Sequence, residues 1–223
     1  MSRNFAAVIP ARSGSSLTHK NIRKISGRTL IEIAYAAANS VGAIKQIVLS
    51  SDSHEYLKLL NGEKLISHIR PDWASSSSAS AQDVLDSINF SPDIDAVVYL
   101  QPTSPLRKAS HISEAIELFL QNPKCEVVGI TEIAQHPSKV LKILENGTLK
   151  EAYSPEGFSN SNRQSLPRLW YPNGALYIIP RTDSGFQFGA NSRIGFPMSK
   201  ISSLDIDSED DFRIAEALIA HEP

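Results

Sequence analysis

Phe5-Ala6-Ala7-Val8-Ile9-Pro10-Ala11-Arg12-Ser13-Gly14-Ser15 begins with an apolar run, Phe5 to Ile9, and turns at Pro10 into a small polar stretch. That stretch runs on through Ser16-Leu17-Thr18-His19-Lys20-Asn21. A short run rich in Val, Ile and Ala suits a strand covered on both faces. Downstream, Leu30 to Ser40 carries Leu30, Ile33, Ala34 and Ala37 on one helical face. The same rhythm returns. Gln46 to Ser50, Ala96 to Leu100, Glu126 to Ile130 and Ala175 to Ile179 read as further buried strands. Ile112, Ala115, Ile116 and Phe119 repeat helical spacing until Asn122-Pro123 stops it. This alternation predicts an α/β fold, an open and mostly parallel sheet flanked by helices. Ligands in such sheets bind beyond the carboxyl ends of the strands.

A chain of 223 residues is expected to form a single domain spanning 1–223. Its 22 basic and 24 acidic side chains leave a net charge of −2, which argues against a general nucleic-acid binder. Any anion must therefore be held by a local site. Cys125 is the only cysteine, so neither an intramolecular disulfide nor a cysteine metal cluster is available. No apolar stretch approaches the ~20 residues of a membrane span, and Pro10 and Arg12 interrupt the one N-terminal apolar run. The expectation is a soluble, cytoplasmic protein with no membrane partner. Residues 136–172 break the rhythm, with a hairpin signal at Asn146-Gly147 and a polar stretch from Ser154 to Asn162. They read as an insertion that covers a site or meets a partner subunit, or else as a long surface loop. The serines Ser75 to Ser78 are expected to cap a helix from Ala81 to Ile88.

The first loop is small, carries Gly14 and is bracketed by Arg12 and Lys20. Small residues let backbone N–H groups approach an anion, and the two cations supply counter-charge. It is neither a G-x-x-x-x-G-K-[ST] loop nor a G-x-G-x-x-G fingerprint, and an ordinary polar turn stays open. Near the end of the chain, Asp205 and Asp207 are two apart. If Ile201 to Asp207 is extended, both carboxylates leave one face, as paired oxygen ligands for Mg²⁺ beside a polyphosphate. Ser208 with Asp211 fits a capping box, a reading compatible with the first. Gln101 stands at the carboxyl end of a buried strand, in a loop stiffened by Pro102 and Pro105. Lys139 and Arg163 fall in the insertion beside Lys142 and Arg168, so a basic surface is an open alternative there. Tyr177 and Phe188 fit a core as well as a ligand wall. The six histidines show no H-x-x-x-H pair, and His19 alone sits in the first loop.

Four segments taken in order carry a resemblance. Ile9-Pro10-Ala11-Arg12-Ser13-Gly14-Ser15 with Lys20-Asn21-Ile22 is the first, and Leu100-Gln101-Pro102-Thr103-Ser104-Pro105-Leu106-Arg107 the second. Arg163-Gln164 with Asn173-Gly174-Ala175-Leu176-Tyr177-Ile178 is the third, and Ser203-Leu204-Asp205-Ile206-Asp207-Ser208-Glu209-Asp210-Asp211 the fourth. Together they resemble the CMP-sialic acid synthetase (acylneuraminate cytidylyltransferase) family, whose relatives include enzymes that activate Kdo. The resemblance implies a Rossmann-like nucleotidyltransferase fold with a small dimerisation insertion, and a homodimer. It implies transfer of CMP from CTP to an acidic 2-keto sugar, an N-acylneuraminate or related nine-carbon acid, with release of pyrophosphate.

It further implies catalytic roles for Arg12, Lys20, Asp205 and Asp207, the last two holding Mg²⁺. Nucleotide contacts are expected from Ala11, Arg12, Ser13, Gly14, Ser15, Lys20 and Asn21, with Ser78 and Ser80. Sugar contacts are expected from Gln101, Tyr177 and Phe188, and from Lys139 and Arg163 reaching across the dimer. The chain departs from the family at Ser16, where a lysine is usual, at Ser75 to Ser78, where an aspartate is frequent, and at Gly189, where a second aromatic usually stands. Two alternatives follow: a Kdo-type synthetase, or a catalytically weakened relative that binds a nucleotide or sugar.

Overall fold

The structure is a computed structural model, described here for residues 3–14, 17, 19–153, 166–189 and 192–221. The first apolar run forms β1 (Phe5–Pro10). A small hairpin, β2 (Lys24–Ile25) and β3 (Arg28–Thr29), leads into α1 (Leu30–Asn39). There follow β4 (Ile44–Ser51), the single turn α2 (His54–Leu57), β5 (Leu65–Ile69), α3 (Ala81–Asp86) and β6 (Ala96–Tyr99). Next come α4 (Ala109–Gln121), β7 (Glu126–Glu132), β8 (Leu141–Ile143) and β9 (Leu149–Glu151). The chain continues through β10 (Trp170–Thr182), β11 (Gly185–Phe186), β12 (Arg193–Pro197) and α5 (Glu209–Ala220).

The main sheet runs β12-β7-β10-β6-β1-β4-β5, with β11 paired to β10. All pairs along that path are parallel except those of β10, which runs antiparallel to both β6 and β7. The expected mostly parallel sheet is therefore present. The segment Ala175–Ile179, however, is the middle of a 13-residue strand that runs against its neighbours. Alternation along β1 shows why the sheet is covered twice. Phe5, Ala7 and Ile9 face a core completed by Ile31 of α1 and Phe119 of α4. Ala6 and Val8 face a second core with Val84 and Leu85 of α3.

Local spacing sets the helix starts. Thr29 and Glu32 form a capping box for α1, and Ser208 and Asp211 form one for α5. Asn122 closes α4 as its spacing predicts. The cap of α3 is Ser80, boxed with Asp83, not the run Ser75 to Ser78, and the helix stops at Asp86 rather than Ile88. Ser75 instead closes the 3-10 turn Asp72–Ala74, its Oγ donating to the Pro71 carbonyl, while Ser76 and Ser78 bond each other.

Asn146 and Gly147 turn the hairpin β8–β9, with Gly147 at φ +79°. Residues 170–172 belong to β10, paired through Trp170 with Glu132, so the irregular segment ends before them. Residues 154–165 lie outside the described part. Ile201 to Asp207 is not a strand. Ile201–Ser203 is a turn closed by Leu204 N donating to Ile201 O, and Ile206 N makes one bond to Thr103 O. Among the described residues, no helix is long and apolar enough to cross a membrane.

Candidate active site

The first loop, the 70–80 segment, the loop after β6 and the segment before α5 meet in a cavity of about 370 Å³ at the carboxyl ends of β1, β5 and β6. Each wall is fixed by a partner distant in sequence. Arg12 Nη1 donates to the Ser76 carbonyl at 2.6 Å, linking the first loop to the 70–80 segment. Asn21 is buried and donates from Nδ2 to the Arg12 carbonyl at 2.9 Å, while its Oδ1 has no partner. Gly14 lines the cavity, and a Cβ there would meet nothing within 4 Å.

α5 packs against Ile25, Leu30 and Ile33 through Phe212 and Ala215, and Ile206 is wholly buried in the same cluster. That packing brings Asp205 and Asp207, either side of Ile206, onto the cavity wall beside Lys20 of the first loop. Lys20 Nζ lies 3.0 Å from Asp207 Oδ1 and 2.8 Å from the Ile206 carbonyl. Burial raises the Asp205 carboxyl above its ordinary value, against the opposing pull of a hydrogen bond from Thr103 and of Lys20. Asp205 Oδ1 is buried with no partner. A desolvated, unpaired carboxylate oxygen beside a second carboxylate suits a divalent cation. Among the described residues no group of three or more His, Cys, Asp or Glu gathers, so phosphate oxygens and water would have to complete the shell, as Mg²⁺ prefers.

Gln101 lines this cavity and two adjoining ones, of about 590 and 260 Å³. The 590 Å³ cavity opens between Gly174, Tyr177, Lys200 and the two aspartates. β10 slips register against β7 between Pro172 and Tyr177, and Gly174 in this bulge has φ +75°. A Cβ on Gly174 would stand 2.7 Å from Gln101 Oε1. Arg107 ties the two loops together, donating from Nη1 to the carbonyls of Gln101 at 2.9 Å and Ala175 at 2.7 Å. Fully enclosed with carbonyls for partners, it is pushed down to about 10 by burial. Tyr177 and Phe188 line the 260 Å³ cavity.

Several expected positions are used differently. Ala11 is buried, its amide given to Ser50 O, and does not line the cavity. Ser13 donates both its amide and its hydroxyl to Asp52 at 2.8 Å each. Ser78 is exposed and bonds Ser76; it is Ser76, Ser77 and Ser80 that line the cavity. Lys139 is exposed at the end of a 3-10 turn and lines none of the three cavities. Ser15, Ser16 and Arg163 lie outside the described residues. Three side chains were missed. Arg70, 6% exposed, lines the cavity with its guanidinium on Ser50, and burial lowers its pKa. Asp52 orients the first loop, and Lys200 lines the second cavity. Asp52 follows a buried strand, as Gln101 does, and was findable by the same argument.

A family model described as cytidylyltransferase matches residues 6–167. The chain is 34% identical over 212 residues to an N-acylneuraminate cytidylyltransferase of Streptococcus agalactiae, covering 92% of this chain and 51% of that one. It therefore spans about half the length of that relative. It is 30% identical over 227 residues to a CMP-N,N'-diacetyllegionaminic acid synthase of Legionella pneumophila, covering 96% and 95% of the two chains. Among solved structures, a CMP:2-keto-3-deoxy-manno-octonic acid synthetase complexed with CTP superposes with a TM-score of 0.72. It has 18% identity and covers 99% of this chain and 100% of that one, a likeness of fold.

Proposed function

Because the chain belongs to the cytidylyltransferase family, we propose that it transfers CMP from CTP to an acidic 2-keto sugar of the N-acylneuraminate or legionaminate type, releasing pyrophosphate. The observation that carries this reading is the convergence of Arg12 and Lys20 with Asp205 and Asp207 on one cavity, the Lys20–Asp207 contact spanning 187 residues. Arg12, Lys20 and the Gly14 amide hold the triphosphate. Arg70, Asn21 and Ser80 face the nucleoside. Gln101 and Tyr177 face the sugar, and Lys200 offers its carboxylate a cation from the same chain.

The sugar's anomeric hydroxyl attacks the α-phosphorus in line and gives up its proton to water, the bond to the β-phosphate oxygen breaks, and pyrophosphate leaves. Positioning and charge neutralisation by the residues above lower the barrier. Asp205 and Asp207 would hold Mg²⁺, which when bound neutralises charge developing on the phosphate oxygens. Asp207 would exchange its contact with Lys20 for the metal, freeing the ammonium for phosphate.

The reading includes a homodimer. Leu141, Ile143 and Leu149 on the β8–β9 hairpin are exposed, Ile143 at 76%, and a second copy would cover them. Sedimentation of Ile143→Asp against the parent chain tests this, a dimer that survives the change removing the hairpin from the interface. The decisive experiment for the reaction is a pyrophosphate-release screen of four nucleoside triphosphates against sialic, legionaminic and Kdo acids. CTP with a nine-carbon acid is the expected pair. Release with Kdo alone moves the substrate class, and release with no acid overturns the reading.

A further inference from the structure

The 260 Å³ cavity branches from the site at Gln101 and runs along one face of the sheet toward the start of β7. Its walls are aromatic. The Phe188 ring stands edge-on to both Tyr99, at 5.2 Å, and Tyr177, at 5.5 Å. Gln82 of α3 fixes the Phe188 loop, accepting from the Phe188 amide at 2.9 Å and donating to the Phe186 carbonyl at 3.0 Å. Glu126, the first residue of β7, lines the same cavity and is 1% exposed. Its Oε2 accepts from the Gly189 amide at 2.9 Å and from Arg193 Nε at 3.1 Å, and its Oε1 has no partner. Gly189 has φ +69°, a conformation that favours glycine, and a Cβ there would displace the Arg193 guanidinium 2.5 Å away.

An acceptor oxygen buried without a donor is unfavourable, and an aromatic pocket ending in one is complementary to a group with an apolar body and a donor at its tip. We propose that Glu126 is a specificity-determining residue, its Oε1 selecting sugar acids whose amide-borne acyl group ends in a hydroxyl or similar hydrogen-bond donor. Arg193 and the Gly189 amide hold the other oxygen, which fixes the carboxylate's orientation and leaves Oε1 without a donor inside the protein. An acid with a plain acetyl group enters the same pocket and leaves that oxygen unpaired. The discrimination falls mainly on sugar KM, because the contact is remote from the reacting phosphorus and is made in ground and transition states alike.

This inference rests on the proposed transfer to a sugar acid. The test compares N-glycolylneuraminic with N-acetylneuraminic acid, which differ by one terminal hydroxyl, by kcat/KM for pyrophosphate release with CTP. The parent chain is expected to prefer the glycolyl acid by about 10-fold or more, since sites built to bond a donor discriminate against its absence. Glu126→Leu, which removes the acceptor, should bring the ratio to about 1. The ratio is independent of the fraction of folded enzyme, and where the variant does not fold the parent ratio decides alone. A parent ratio near 1, or a preference kept by Glu126→Leu, overturns the assignment. Turnover of neither acid, with pyrophosphate release from CTP and another sugar acid, overturns the assignment alone, whereas release with no acid at all overturns the transfer reading and the assignment with it.

Discussion

Lys20 Nζ sits 3.0 Å from Asp207 Oδ1, joining the loop after the first strand to the segment before the last helix. The two side chains are unequally placed: Lys20 is 11% exposed and Asp207 72%. The ammonium is held in the cavity wall while the carboxylate remains open to solvent or to a cation. Both line the cavity.

Removing the ammonium should separate catalysis from stability. An ion pair with one member so exposed contributes about 0–1 kcal/mol to folding. A charge partner of the transferring phosphate is worth ~10²–10³ in rate. Lys20→Ala is therefore expected to keep its melting temperature within a few degrees while pyrophosphate release falls by that factor. Unchanged turnover would reduce Lys20 to a strut for Asp207.

Gly174→Ala tests the coupling between the β10 bulge and Gln101. The positive φ costs a non-glycine residue about 1–2 kcal/mol, and the new Cβ would lie 2.7 Å from Gln101 Oε1, displacing it. The expected outcome is a rise in sugar KM with CTP KM preserved, alongside lower stability. Gln101→Ala should reproduce the KM change without the loss of stability. If only stability moves in Gly174→Ala, the amide does not meet the sugar.

His68 provides a pH dependence of stability. Its Nδ1 is 3.1 Å from Ser50 Oγ, which also accepts from Arg70 Nε at 3.2 Å, and its Nε2 is 3.0 Å from the Ser87 carbonyl. Burial, then the Arg70 charge, lowers its pKa, against the Ser87 bond. The unfolded state thus binds the proton first as pH falls below the ordinary ~6.5. Stability supplied by neutral His68 is complete above that value and is lost as pH drops through the folded pKa. Thermal melts between pH 7.5 and 5 should show a steeper acid decline for the parent than for His68→Gln. Parallel curves would mean that His68 does not titrate differently on folding.

Ser208→Ala should do the reverse of Lys20→Ala. The hydroxyl accepts from the Asp211 amide at 3.2 Å and donates to Asp211 Oδ2 at 2.6 Å. Its loss should cost about 1 kcal/mol and leave turnover nearly intact. A large activity loss at preserved stability would show that the cap also sets the position of Asp207.

Much of the candidate site was legible because its loops follow strands that announce themselves. Phe5 to Ile9 and Ala96 to Leu100 are apolar on both faces, so the positions just beyond them, Arg12 to Asn21 and Gln101, fall where a doubly covered sheet leaves a crevice. The i, i+3 spacing of Thr29 with Glu32 and of Ser208 with Asp211 likewise marks helix starts, because a capping box lies within one turn of chain.

Partners across the sheet were not legible. The direction of β10 depends on how a long connection closes, and an apolar run is the same read either way. The edge strands β5 and β12 escaped notice because each is covered less than the central strands, so their apolar pattern is diluted. The sequence by itself determined the central buried strands and the main helices, that a cationic loop follows the first strand, and that two carboxylates stand two residues apart before the last helix. Only the tertiary structure decided that Asp52 occupies the Ser13 amide, that Arg70 lines the cavity, that Lys20 meets Asp207, and that Glu126 ends an aromatic pocket. The reason is physical: propensity, capping and alternation act within a few residues, whereas a side chain's partner across the fold is set by strand order and register, which emerge only when the whole core packs.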